Sequence, residues 1–166
     1  DYGLIVASYS IMQFFFAPIF GAVSDRYGRR MILFVSLLGT ALGFVVVGLA
    51  TALWMVYAGR ILDGITGGNI STAQAYIADV TSRENRARGM GLIGAAFGIG
   101  FVLGPALGGI LSTFGPHVPF LFAAGMALVN AIAVYFFLPE SLDVAKARSQ
   151  PREINRFAVI FHSLKD

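Results

Sequence analysis

Residues 21–30 read GAVSDRYGRR and lie between two long apolar runs, 4–23 and 31–50, neither of which contains a charged residue. A helix needs about 20 mostly apolar residues to cross a hydrocarbon core of about 30 Å. Each run is long enough, so the stretch 21–30 is predicted to be a tight turn between two membrane-spanning helices. Gly28 can supply the positive backbone φ that such a turn requires.

Asp25 is the unusual residue of this turn, because it falls where the first helix ends. The dipole of a helix disfavours an anion at that end, so Asp25 needs a nearby cation or the N-terminus of another helix. Arg29 and Arg30 are candidates by their position in the sequence. A positively charged loop with one solvated acid is the alternative interpretation.

Three further apolar stretches follow, at 54–78, 89–111 and 118–138. The first contains Arg60 and Asp63, and is therefore predicted to be a helix that faces the protein interior. Hydrophobic residues make up 57% of the chain and charged residues 13%, which is about half the charge of a typical soluble domain. We therefore predict an all-α membrane protein, with five transmembrane helices in 1–138 and a loop segment in 139–166.

The basic residues are concentrated on one side of the predicted bundle. Eleven of the twelve Lys and Arg residues lie in alternate connectors, 24–30 and 80–88, or in the tail after residue 138. The positive-inside rule then places the N-terminus outside and the C-terminus in the cytoplasm of a multi-pass protein of the cytoplasmic membrane. This asymmetry explains the net charge of +3 without a nucleic-acid partner. In the tail, helical spacing predicts a short amphipathic surface helix with Ile154, Phe157, Ala158, Phe161 and Leu164.

The sequence offers little support for enzyme or metal chemistry. The segment GMGLIG at 89–94 matches GxGxxG, but a dinucleotide site needs a strand before it and an acidic residue about 20 positions later. The chain has no Cys, and its two His residues, His117 and His162, lie far apart in the sequence. We predict no enzyme activity, no metal and no cofactor apart from a proton as coupling ion.

The turn pattern G-x-x-x-D-R-x-G-R-R between two spans resembles the signature loop of the major facilitator superfamily, which joins the second and third of twelve helices. In that family the acid at the position of Asp25 meets a helix N-terminus of the second half-domain and locks one access state. The resemblance implies an N-terminal half-domain without its first helix, which has the rest of its own transporter chain as a partner. It implies a gating loop made of Gly21, Asp25, Arg26, Gly28, Arg29 and Arg30, with Asp79 as a further member of the charge cluster.

The stretch 89–111 carries a second pattern, which resembles the antiporter motif of drug/proton exchangers. Its members are Gly91, Gly100, Gly104, Pro105, Gly108 and Gly109. Gly100, Gly104 and Gly108 are four residues apart and share one helix face, which permits close packing. Pro105 removes a backbone donor and tends to kink the helix. The resemblance implies a pivot or seal between half-domains, and plain helix packing is the alternative.

The third pattern, RILDGITGG at 60–68, resembles the helix-four motif of the same family, in which an arginine is tied to proton transfer. Arg60 and Asp63 are three residues apart and can pair on one helix face. At 1.5 Å per residue, Asp63 lies about 13 Å beyond Trp54, near the midplane. Charge inside a membrane is costly and usually functional, so we predict a proton-coupling pair. The alternatives are an Arg60 that snorkels outward and a permanent structural pair.

The resemblance is strongest to tetracycline/proton antiporters, through SDRYGRR, GRILDGITG, AYIAD and LPES, and covers helices two to six of twelve. Two positions depart from that group. Gly43 stands where tetracycline exporters have an acid, and Asp63 replaces a residue that is usually small or an amide. By depth, Gln13 and Asn130 are candidates for a substrate path, although hydrogen bonds between helices explain both residues equally well.

These patterns predict proton-coupled efflux of a small, drug-like molecule by alternating access across the lipid bilayer, with tetracycline-like compounds among the candidate substrates. One alternative is a facilitator or symporter of a sugar or metabolite in the same superfamily. A non-transporting membrane scaffold or receptor is another, and it would need none of Asp25, Arg60 and Asp63.

Overall fold

The computed structural model describes residues 2–142, and the regular structure of this part is entirely helical. The helices are α1 (Tyr2–Tyr27), α2 (Arg29–Gly48), α3 (Leu53–Thr66), α4 (Asn69–Val80), α5 (Arg86–Ser112) and α6 (Val118–Phe137). Four of them, α1, α2, α5 and α6, are long and apolar enough to cross a membrane. Together α3 and α4 occupy the predicted fifth span, 54–78. The surface helix predicted in the tail lies outside the described residues.

The turn between α1 and α2 consists of a single residue, Gly28, which has a φ of 102°. Its N–H donates to the carbonyl of Ser24 at 3.1 Å, as is usual for a glycine that ends a helix. Both helices therefore extend beyond their apolar runs and carry the charged residues of the turn on their last and first turns. Asp25, Arg26 and Arg29 thus lie on regular helix rather than on a loop.

The predicted helix 54–78 is interrupted at Gly67 and Gly68, and the expectation of one continuous helix is wrong at this point. A helix end leaves carbonyl groups without intrahelical partners. Here neighbouring helices supply donors, because Ser36 of α2 donates to the Thr66 carbonyl and Gln13 of α1 donates to the Gly67 carbonyl at 3.1 Å. The break is therefore tied to both neighbours of α3.

Glycine allows the helices to approach closely around this break. A Cβ atom on Gly43 of α2 would lie 2.9 Å from the carbonyl oxygen of Gly59, and one on Gly59 would lie 2.8 Å from that of Gly43. A Cβ atom on Gly64 would lie 2.6 Å from the carbonyl oxygen of Tyr9 on α1. Small residues at helix interfaces are typical of membrane bundles, where close packing drives association.

The surface and interior are those of a protein surrounded by lipid. Most large apolar side chains point outward, and the fully buried side chains of greatest volume are Thr72, Ser24 and Ser36. Helix α2 packs between α3 and α6, and α1 packs on α3 and α4. Helix α5 touches α4 and α6 and is largely exposed, with Gly89 as its one buried residue among those described.

Candidate functional site

Arg29 organises the charged turn. Its side chain is 8% exposed, and its guanidinium contacts Asp25 at 2.5 Å, Asp79 at 3.1 Å and the Ser24 hydroxyl at 2.6 Å. Asp79 lies near the end of α4, so the contact joins the turn to the far end of the broken helix. Asp25 remains 63% exposed while it is paired with Arg29. We call Asp25, Arg29, Asp79 and Glu140 the turn cluster.

Glu140 caps the N-terminus of α2 from a distant part of the sequence. Its carboxylate accepts the backbone N–H of Arg29 at 2.8 Å and of Arg30 at 3.1 Å. The first N–H groups of a helix have no intrahelical partner and carry positive potential, so a carboxylate is well placed there. A Cβ atom on Gly28 would overlap this carboxylate, so a side chain there would displace the cap as well as strain the backbone.

The other predicted members of the gating loop lie around this cluster. Arg30 stacks over the Tyr135 ring of α6 at 5.1 Å and donates to the Tyr135 carbonyl. Arg26 is exposed, with its guanidinium 6.0 Å from the Tyr27 ring. Gly21 faces α4, because a Cβ atom there would lie 3.7 Å from the Ser71 hydroxyl. The structure therefore brings Arg29 and Asp79 together with Asp25 and leaves Arg26 outside the cluster.

The second charged group is the Arg60–Asp63 pair of α3. The nearest atoms of the two side chains are 3.4 Å apart, and the Asp63 side chain is 8% exposed. Thr40 of α2 also interacts with the Asp63 carboxylate, and the Tyr9 ring of α1 lies 4.7 Å from the Arg60 guanidinium. The pair thus lies between three helices, where removal of one partner would leave the other charge uncompensated.

The two departures from the tetracycline-exporter pattern are neighbours in space. A Cβ atom on Gly43 would lie 3.0 Å from the Cβ of Asp63 and 3.2 Å from its backbone nitrogen. The Cβ and backbone of residue 63 therefore occupy the space that a side chain on position 43 would need, as does the carbonyl of Gly59. Any residue other than glycine at 63 would present the same Cβ, so the steric limit at position 43 is set by α3 and not by the carboxyl group.

The predicted substrate-path residues are not brought together. Gln13 lies on α1 and donates a hydrogen bond to the break between α3 and α4. Asn130 is exposed on α6, which packs mainly on α2. Broken helices with free carbonyls at mid-depth are a common place for transporter binding sites. The position of Gln13 at the break therefore supports it as a candidate for the substrate path, whereas the exposed position of Asn130 gives no such support.

The glycine-proline pattern lies on a part of α5 that faces away from the described helices. A Cβ atom would meet no other atom within 4 Å at Gly91, Gly100, Gly104, Gly108 or Gly109. Helix α5 continues through Pro105. The close packing expected from the pattern is therefore absent among residues 2–142, and this face is open to a partner outside them.

Sequence reasoning missed Glu140 and Tyr9 in the two charged groups and Ser36 at the helix break. Glu140 had a visible signal, because it is an acid directly after an apolar span in a chain with several arginines on that side. Tyr9 and Ser36 had none, since their partners are set by helix packing. Tyr9 contacts Arg60 across 51 residues of sequence.

Long apolar helices, a one-residue turn flanked by charged residues and an ion pair between helices define this chain as part of a multi-helix membrane protein. The chain belongs to the Major Facilitator Superfamily, whose family model it matches over residues 1–164. The predicted family and the predicted all-α membrane fold are thereby confirmed.

Relatives with known names support the similarity to drug exporters. The chain is 44% identical to the class C tetracycline resistance protein of Escherichia coli, in a match that covers 94% of this chain and 39% of the relative. It is 38% identical to multidrug resistance protein 2 of Bacillus subtilis, over 86% of this chain and 36% of that protein. The chain thus spans about two fifths of the length of these relatives.

A solved structure has the same fold. The crystal structure of the human organic anion transporter MFSD10 (TETRAN) superposes with a TM-score of 0.79 at 38% sequence identity. The match covers 87% of this chain and 33% of the human chain.

Proposed function

We propose that this chain is part of a proton-coupled exporter of drug-like molecules, in which Asp63 carries the coupling proton and Arg60 is its switchable partner. The observation that carries the proposal is the burial of this pair between three helices. Two unit charges in contact attract by about 4 kcal/mol at an effective dielectric constant near 20, before the cost of desolvation. Making and breaking that contact is a large enough change to bind a proton in one access state and release it in the other.

The turn cluster supplies the access control in this proposal. Asp25 is both paired with Arg29 and well exposed, so it can meet a partner from the second half of the transporter. A partner that prefers one conformation shifts the access equilibrium toward that conformation. The open glycine face of α5 is the second surface available to that half. The positive-inside distribution supports an orientation in which the turn cluster is cytoplasmic.

The proposal is tested in the full-length protein with Asp63→Asn, Arg60→Gln and the double variant, using everted membrane vesicles. Expression and proton-driven efflux of tetracycline, and of other drugs if tetracycline is inert, are measured separately. Asp63→Asn should express normally and lose coupled efflux, because the neutral amide cannot take up and release a proton. Glu84→Gln serves as the matched control, since Glu84 is an exposed acid in the connector between α4 and α5.

Full proton-driven efflux in the double variant would contradict the proposal, because it would show that the pair is structural and that the proton site lies elsewhere. Loss of expression in each single variant together with rescue in the double variant would lead to the same conclusion. An uncompensated charge buried in the bundle is expected to destabilise folding by itself.

Transport of an organic anion without proton exchange is a second candidate. It is favoured by the structural similarity to MFSD10 and by the Arg60 side chain, which is 23% exposed and is the one basic residue within the apolar stretches. An anion carrier would need the positive charge of Arg60 but not the proton of Asp63. Arg60→Gln would then abolish uptake of a fluorescent organic anion, while Asp63→Asn would preserve it.

A further inference from the structure

Tyr9 of α1 is the closest aromatic partner of the Arg60–Asp63 pair. Its ring centroid lies 4.7 Å from the Arg60 guanidinium carbon. Its backbone is pressed against α3, because a Cβ atom on Gly64 would lie 2.6 Å from the Tyr9 carbonyl oxygen and 3.1 Å from its Cα. Since Gly64 follows Asp63 directly, α1 approaches α3 closely beside the buried acid.

Gln13, one turn further along α1, lies at the hydroxyl end of the Tyr9 side chain. Its side chain interacts with the Tyr9 hydroxyl, and its amide nitrogen donates to the Gly67 carbonyl at 3.1 Å. A Cβ atom on Gly67 would lie 3.3 Å from the Tyr9 hydroxyl oxygen. The ring therefore faces Arg60 of α3, and its hydroxyl lies near the helix break.

The position of Tyr9 affects how Arg60 can be kept inside the membrane. A guanidinium at this depth is drawn outward, because a long side chain can extend to bring its charge into the interface. An aromatic face offers an alternative partner for the cation, and the attraction increases where water is excluded. Tyr9 approaches Arg60 from α1, while Asp63 holds it from within α3.

We propose that Tyr9 is a positioning residue for the Arg60–Asp63 pair. Its ring keeps the guanidinium at the depth of the acid, and Gln13 fixes the orientation of the ring. The pair then cannot separate without a change in the contact between α1 and α3. The consequence for transport rests on the proposed proton coupling, whereas the contact itself does not.

The first experiment is independent of any substrate. A double-mutant cycle of Tyr9→Leu and Arg60→Gln is measured on the thermal unfolding of the purified full-length protein. Tyr9→Leu should lower the midpoint in the wild-type background and have little further effect when Arg60 is already Gln. Additive shifts would overturn the proposal, because they would show that the tyrosine does not act through the arginine.

The second experiment separates the ring from the hydroxyl in proteoliposomes, with the drug that the wild-type protein exports. Tyr9→Phe keeps the ring but loses the contact of the hydroxyl with Gln13, and should retain clearly more coupled efflux than Tyr9→Leu. Tyr9→Leu should lower proton-driven efflux about two- to thirty-fold, the range that corresponds to a cation–π contact. Drug counterflow, which needs no net proton movement, should be unchanged in both variants. Tyr57→Leu is the matched control, because Tyr57 of α3 has no hydrogen bond or cation contact within the described chain.

Equal losses of efflux and counterflow in Tyr9→Leu would assign the tyrosine to substrate binding and overturn the proposal. Unchanged coupled efflux in that variant would also overturn it. If the wild-type protein shows no proton-driven transport, the proposed function fails, and the double-mutant cycle still decides whether Tyr9 positions Arg60.

Discussion

At the scale of single residues, the least replaceable positions are those where two backbones meet. The α2–α3 contact illustrates this, because the glycine at 43 lies against both the carbonyl of Gly59 and the Cβ of Asp63. An added methyl group cannot be accommodated by a change of rotamer, since the nearest atom belongs to the backbone. Closely packed interiors respond to such an addition by separating their elements.

We expect Gly43→Ala to destabilise the full-length protein by about 1–3 kcal/mol, the usual cost of overpacking a tight interface. The measurement is the thermal unfolding midpoint in detergent. Gly98→Ala provides the matched control, because a Cβ atom on Gly98 of α5 meets nothing within 4 Å. An equal shift in both variants would indicate that α2 and α3 do not make this close contact.

At the scale of the elements, α3–α4 and α5 differ in where their partners lie. The broken crossing α3–α4 finds its partners within this chain, from α1 and α2 on either side. The glycine face of helix α5 instead points away from the other described helices. The first arrangement fixes an internal charged group, and the second leaves a smooth surface that can slide or seal against another helix.

We expect Gly104→Leu to leave folding intact, because a Cβ atom at this position meets nothing within 4 Å in the described chain. In the full-length transporter the same change should cause proton leak or loss of coupled transport, since the leucine would obstruct contact with the remaining helices. Expression level and proton flux without drug are the two readouts.

Gly125→Leu on α6 is the control for that experiment, because its Cβ position is equally open within residues 2–142. Unchanged coupling in Gly104→Leu would show that the glycine face of α5 meets lipid and not protein.

At the scale of the whole molecule, the described helices form a bundle with charge at one end. The turn cluster, the cap from Glu140 and the contact of Arg30 with Tyr135 all join elements at the end where α1 meets α2. Helix α2 is thus tied at this end to α4 and to the end of α6, although both are distant from it in sequence. In the proposed transporter these contacts would let this end move as one body.

The orientation of this end is tested by cysteine labelling of the full-length protein in intact cells. Cysteine at Ser112 should react with an impermeant reagent from outside, and cysteine at Ser149 should react only after permeabilisation, as expected from the positive-inside rule. Cysteine at Thr51 lies on the same predicted side as Ser112 and serves as a positive control. Reaction of Ser112 and Ser149 from the same side would contradict the orientation.

Much of the architecture could be predicted because its causes are local. The apolar runs determined the number of crossings through their length, and Gly28 together with its flanking charges determined the position of the first turn. The family was identified from the ten-residue stretch 21–30 around this turn and from the patterns in 60–68 and 89–111. The break at Gly67 was not predicted, because paired glycines are also common within membrane helices, and their effect depends on what packs against them.

The sequence by itself determined a membrane-spanning helical chain of this family, with charges at 25, 29, 60, 63 and 79, since length, hydropathy and spacing are properties of the chain alone. Only the tertiary structure decided which of these charges meet, and through which neighbours. Glu140 reaches α2 and Tyr9 reaches Arg60 across long stretches of sequence. The physical reason is that such partners are selected by the register and closest approach of packed helices, which depend on the glycines of two helices at once.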